Sequence, residues 1–302
     1  MKKTSKKNSK GSIKPAKDSR NNAQNPKEVQ QEPVQQEQSV DIEKSENTIE
    51  HNTATIFLTG ESPLVEQYAE VCASHHYSVK LQWNIPPQKE NKFLSPQISI
   101  ADNILSSACV ALELTNIDRD TKRNNLQKLD SILPDTTLIL SSSITVSATE
   151  QASWISRKHR LIGFAALPSF VEKSLVEVAP TIYSPKETME IVSRFFTTLG
   201  KNIEIVQDRV GLVLPRIICQ IINEAAFAIT EDIASPQDID IAMKLGGRFP
   251  LGPIEWIEKI GVKQVYAILD ALYRDLQEER YRIAPILKQM ALTGSWWTKD
   301  ET

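Results

Sequence analysis

Apolar and polar positions follow two rhythms along this chain, and the change between them divides it. From Thr53 short apolar runs alternate with longer segments of helical spacing. ATIFLTG reads as a strand ending in Gly60, PLVEQYAEVCASHH as a helix and YSVKLQW as a second strand. ACVALELT and TTLILSSS are further strands on either side of the helix RDTKRNNLQKLDSIL. The polar helix SATEQASWISRK leads to the strands LIGFAAL and SLVEVAP. PKETMEIVSRFFTTLG then makes a helix with Gly200 at its C-cap, and NIEIVQD closes the half as a strand. Strands alternating with helices predict a doubly wound, mainly parallel, Rossmann-like sheet domain over residues 53–208.

Beyond residue 208 the strand pattern stops. GLVLPRIICQIINEAAFAITEDIA has few polar positions, as a helix buried on most sides would. Ser235 before Pro236, with Asp238 in the next turn, is an N-cap with proline at the first helical position. In VKQVYAILDALYRDLQEERY the residues Val265, Ile268, Leu269, Leu272 and Leu276 form one stripe, and PILKQMALTG follows as a last helix. These segments predict an all-α C-terminal domain over residues 209–302 whose long apolar helices need a partner surface, hence a dimer.

Residues 1–52 differ from both. Lysines and Arg20 crowd the first part, acidic residues the second, and apolar residues are too sparse to offset the entropy of ordering. A disordered charged tail is expected. The net charge of -3 over 302 residues gives no pull toward nucleic acid or an anionic membrane, so neither is expected as a partner. Cys72, Cys109 and Cys219 are scattered and read as core residues in a reducing compartment. No apolar run approaches the roughly 18 residues of a membrane span. A cytoplasmic protein is expected, and no metal site.

A strand, a glycine turn and a helix suggest dinucleotide binding, whose fingerprint needs three glycines. The first permits the tight turn, the second lets the backbone approach the pyrophosphate, and the third lets helix and strand pack closely. In Gly60-Glu61-Ser62-Pro63-Leu64-Val65 only the first stands. Glu61 adds negative charge beside the expected phosphate, and Pro63 removes an N–H donor. At the end of the second strand an acidic residue should hold the ribose hydroxyls; Trp83 stands there, followed by Asn84.

The stretch NEAAFAITEDIASPQDIDIAMKLGGRFPLGPIEWIEKIG, residues 223–261, resembles the C-terminal domain of the short-chain L-3-hydroxyacyl-CoA dehydrogenases nearly position for position. ACVALELTNIDRDTKRNNLQKLDSILPDTTLILSSS follows the same family's sheet domain more loosely, without a gap. The resemblance runs from about Thr53 to Gly294 and implies a Rossmann-like domain and a helical dimerisation domain. It also implies NAD as cofactor, a 3-hydroxyacyl-CoA ligand and a homodimer. Gly60, Lys122 and Ser142 match positions near the cofactor, while Ile117 replaces a glutamate beside the nicotinamide.

At the catalytic positions the resemblance implies a loss. The family orients a histidine base with a glutamate twelve residues later. Glu177 occupies the carboxylate position, but Ala165 stands at the histidine. Ile144 stands at a serine and Pro215 at an asparagine that bind the substrate. A secondary-alcohol dehydrogenase needs a base near the hydroxyl, and His51, His75, His76 and His159 all lie outside this turn. The expected function is therefore a family protein impaired in catalysis that acts as a dimeric binding or scaffold protein. The alternative is an active NAD-dependent oxidoreductase using altered residues.

Overall fold

The computed structural model describes residues 54–85, 93, 95–104 and 106–294. The charged tail lies outside these residues. Among the described residues eight strands form one sheet: β1 (Thr55–Gly60), β2 (Ser78–Trp83), β3 (Ile98–Ile100), β4 (Val110–Leu114), β5 (Leu138–Ser142), β6 (Leu161–Phe164), β7 (Leu175–Pro180) and β8 (Asn202–Ile205). Their order is β3-β2-β1-β4-β5-β6-β7-β8, parallel except where β7 runs against β6. The helices of this half are α1 (Leu64–Ser74), α2 (Arg119–Ile132), α3 (Ala148–Ser153) and α4 (Lys186–Thr198).

Every residue of β4 and β5 is buried, as in a sheet covered on both faces. One core gathers Ile56, Leu58, Tyr68, Leu112, Phe164 and Phe196; a second, with Phe57, Leu126, Ile139 and Leu161, fills the other face. The order reverses direction between β1 and β4. In doubly wound folds the crevice outside the strand C-termini at that switch point is where ligands lie.

The remaining elements are helical: α5 (Leu214–Thr230), α6 (Pro236–Ile241), α7 (Pro253–Ile260), α8 (Val262–Leu276) and α9 (Pro285–Thr293). The expected stripe of α8 is buried at Val265, Ile268, Leu269 and Leu272. Ser235 caps α6 by accepting the Asp238 N–H. Asp240 accepts the N–H groups of Ile254 and Glu255 at the start of α7, and a Cβ at Gly252 would lie 2.0 Å from its carboxylate. Asn223 bonds Arg282 and Ala284 and so holds the chain entering α9.

Four expectations change. The three-residue strand β3 was not foreseen. The polar helix ends at Ser153, after one and a half turns, and a 3-10 turn at Lys158–Arg160 follows. Helix α5 begins only at Leu214, and within it Leu214 and Ile217 are exposed while its other apolar positions are buried or half-buried. Cys109 is exposed rather than in the core, because it precedes β4 at the N-terminal ends of the strands, where its thiol reaches the Thr55 carbonyl.

Candidate active site

The C-terminal ends of β1, β4, β5 and β6 meet the first turns of α5 and α8. At β1, Gly60 approaches Leu114 so closely that a Cβ would lie 2.5 Å from its carbonyl carbon. The glycine is thus required by strand packing. Val65, at the third-glycine position, is fully buried in the core beneath α1.

Glu61 turns its carboxylate across the switch point. Oε1 accepts the N–H groups of Ile117 (2.9 Å) and Asp118 (3.3 Å), just beyond β4. Oε2 accepts from Gln264 Nε2 of α8 at 3.1 Å. Burial pushes the carboxyl up from the usual range, opposed by the N–H groups of residues 116–118 and reinforced by the charge of Glu113. Asn116 continues the connection: its Nδ2 donates to Gln264 Oε1 and to the Ala166 carbonyl, both at 3.0 Å. Its Oδ1 accepts from Ser142 Oγ at 2.5 Å.

Lys122 is buried and engaged. Its ammonium bonds Glu113, donates to the Ser142 carbonyl at 2.9 Å and to Ser141 Oγ at 3.3 Å. Glu113 is itself fully buried and also accepts from Ser141 Oγ and the Thr115 N–H. Trp83 stacks on Phe93 at 6.1 Å and donates its indole N–H to Glu66. Asn84 faces inward, donating to Thr115 Oγ1 and accepting from Asn125.

The four positions matched to the catalytic group do come together. The Ala165 N–H donates to the Glu177 carbonyl across β6 and β7, and the Gly211 N–H donates to the Ile144 carbonyl. The Glu177 carboxylate accepts the N–H groups of Val213 (2.8 Å) and Leu214 (2.7 Å) at the start of α5. Pro215, buried in the next position, offers neither N–H nor side-chain polarity. Ile144 is fully buried among apolar neighbours. Glu177 therefore caps a helix, and Ala165 beside it offers only a methyl group. Of the histidines, His159 pairs with Asp135 and His75 bonds the Val71 carbonyl.

These groups do not fit NAD as a glycine fingerprint would: a carboxylate spans the crevice, and an indole replaces the ribose acceptor. Among the described residues no group of three His, Cys, Asp or Glu side chains is placed to hold a metal, and no helix is long and apolar enough to cross a membrane. A cavity of about 520 Å³ remains on the other side of Asn116, lined by Thr145, Val146, Val210, Tyr266 and Ala267. The residues that sequence reasoning missed are Gln264 and Asn116, whose amides become informative only when the fold places them beside Glu61.

The fold and site define a dinucleotide-fold protein with an appended helical domain. Residues 88–209 match the NAD binding domain of 3-hydroxyacyl-CoA dehydrogenase, and residues 211–301 match its C-terminal domain. The chain belongs to this family. The probable 3-hydroxybutyryl-CoA dehydrogenase of Bacillus subtilis (strain 168) is 29% identical over 209 residues, 68% of this chain and 73% of that protein. The 3-hydroxybutyryl-CoA dehydrogenase of Clostridioides difficile is 30% identical over 179 residues, 59% of this chain and 64% of its own length. The chain thus spans about two thirds to three quarters of these relatives. The (S)-3-hydroxybutyryl-CoA dehydrogenase of Ralstonia eutropha superposes with a TM-score of 0.67 at 25% identity, covering 80% of this chain and 94% of that one.

Proposed function

We propose that this family member has lost most of its dehydrogenase chemistry and serves as a dimeric binding or scaffold protein of the cytoplasm. The observation that carries the reading is the Glu177 carboxylate capping α5 beside Ala165. Without a base, neither hydride donation nor its reverse has a partner for the hydroxyl proton. Losing a general base costs about 10²–10⁴-fold, and Ile144 and Pro215 withdraw the polar contacts that would orient a substrate carbonyl.

The exposed apolar residues Val213, Leu214 and Ile217 at the start of α5 support self-association through the helical domain. The cavity beside Asn116 falls in the range of small-molecule sites, roughly 300–1,000 Å³, and an acyl-CoA is the ligand to try first. The alternative, an active NAD-dependent oxidoreductase on a 3-hydroxyacyl-CoA in fatty acid or butanoate metabolism, is favoured by the names of the relatives. Titration with NADH, followed by its fluorescence, separates the two. No saturable change is expected from the folded protein; saturable binding would favour the alternative.

A further inference from the structure

The missing glycine fingerprint argues for weak cofactor affinity but does not say what the crevice holds instead. Glu61 answers this by geometry. Gly60 ends β1 and Ile117 lies three residues beyond β4, so a carboxylate reaching from one to the other crosses the switch point itself. Two of its contacts are backbone N–H groups immediately before α2, where the helix favours negative charge. The third comes from α8, across the gap between the sheet and the helical half.

The connection has one satisfied arrangement. Gln264 is buried, donating to Glu61 and accepting from Asn116. Turning its amide over would set its oxygen against the carboxylate and its NH₂ against the Asn116 NH₂. Asn116, also buried, uses both amide hydrogens and its oxygen, which accepts from the fully buried Ser142. A polar chain therefore runs from β1 through α8 and the loop after β4 to β5 and β6. Networks satisfied at every member fix a single packing. A dinucleotide entering this crevice would bring its phosphates against the carboxylate and unpair the groups it holds.

We propose that the Glu61 carboxyl group stands in for the dinucleotide, latching the sheet to helix α8 through Gln264 and keeping the switch-point crevice closed without a cofactor. This rests on the reading that NAD binding is lost, and it goes further by naming what keeps the cleft shut.

Amide hydrogen exchange on the full chain tests it. Glu61→Ala should speed exchange of the Ile117 and Asp118 N–H groups by about tenfold or more, with the β5 amides unchanged. Glu61→Gln keeps an acceptor oxygen and should fall between. Gln264→Leu, which leaves the turn intact and guards against a misfolded Glu61 variant, should speed exchange of the Gln264 and Val265 amides, bonded to Gly261. Unchanged exchange at residues 117 and 118 in Glu61→Ala, or at 264 and 265 in Gln264→Leu, would overturn the latch. Saturating NADH should leave protection at residues 117 and 118 of the unmodified protein as it was. An NADH-dependent change there would also overturn the latch. NADH bound with that protection intact would contradict only the functional reading and leave the latch standing.

Discussion

Glu177 Oε1 accepts the backbone N–H of Leu214 at 2.7 Å, tying β7 to the first turn of α5. The same carboxylate takes the Val213 N–H, so both its oxygens serve a helix that has no capping side chain of its own. Glu177→Ala should therefore cost stability on the scale of a lost N-cap, about 0.5–2 kcal/mol. Glu177→Gln, which keeps one acceptor, should cost less. Urea denaturation of the three proteins checks this, and equal stability of all three would contradict the capping role.

Restoring the missing base should not restore the reaction. Ala165→His puts an imidazole beside a carboxylate already committed to α5, with Ile144 and Pro215 unchanged. Turnover of acetoacetyl-CoA with NADH is expected to stay within about tenfold of background, far below what a general base contributes. A gain of a thousandfold, near the middle of that range, would mean that the histidine alone was lacking.

Lys122 and Glu113 form an ion pair with both side chains out of contact with water. Lys122→Met leaves the carboxylate buried without its cation and should cost about 3–5 kcal/mol, as broken buried pairs do. Adding Glu113→Gln removes the stranded charge and should recover part of the loss. A single Lys122→Met variant as stable in urea as the parent would show that the pair is not what holds β4 to α2.

The pH dependence of stability should carry a signature of Glu61. Burial raises its carboxyl in the folded chain, so between the ordinary carboxylate value and the raised one the folded state binds the proton that the unfolded state releases. Its contribution is fully present below the ordinary value and fades as pH rises through the raised one. The charge of Glu113, the backbone N–H groups of residues 116–118 and the amide of Gln264 surround it. Glu61→Gln should remove this decline, seen as a difference between the stability–pH curves of the two proteins. Parallel curves would contradict it.

Self-association should depend on the outer face of α5. Ile217 is 52% exposed, and Ile217→Glu is expected to convert a sedimentation mass of twice 33.9 kDa to the single-chain value. A parent protein that sediments as a monomer would contradict the dimer.

The β-α-β opening, the switch to helices and the Ser235 cap were legible in the sequence because each rests on local pattern. Helix α3 is shorter than its sequence suggests, since a polar segment offers no apolar stripe to mark its end. Strand β3 has three residues, too few for a period. The convergence of Ile144, Ala165, Glu177 and Pro215 could be read only through the resemblance, because these positions lie on or just beyond four separate elements. Glu61 was legible as a charge in the wrong place, but its partner Gln264 is 203 positions away. No local signal links them.

The most direct test of the central claim is acetoacetyl-CoA-dependent oxidation of NADH by the purified, folded protein at high concentration, followed by absorbance. No turnover above background that saturates in both substrates is expected. Saturable turnover that survives Glu177→Ala would place the chemistry elsewhere; saturable turnover abolished by it would make Glu177 part of a working site. Either result would contradict the loss of dehydrogenase function.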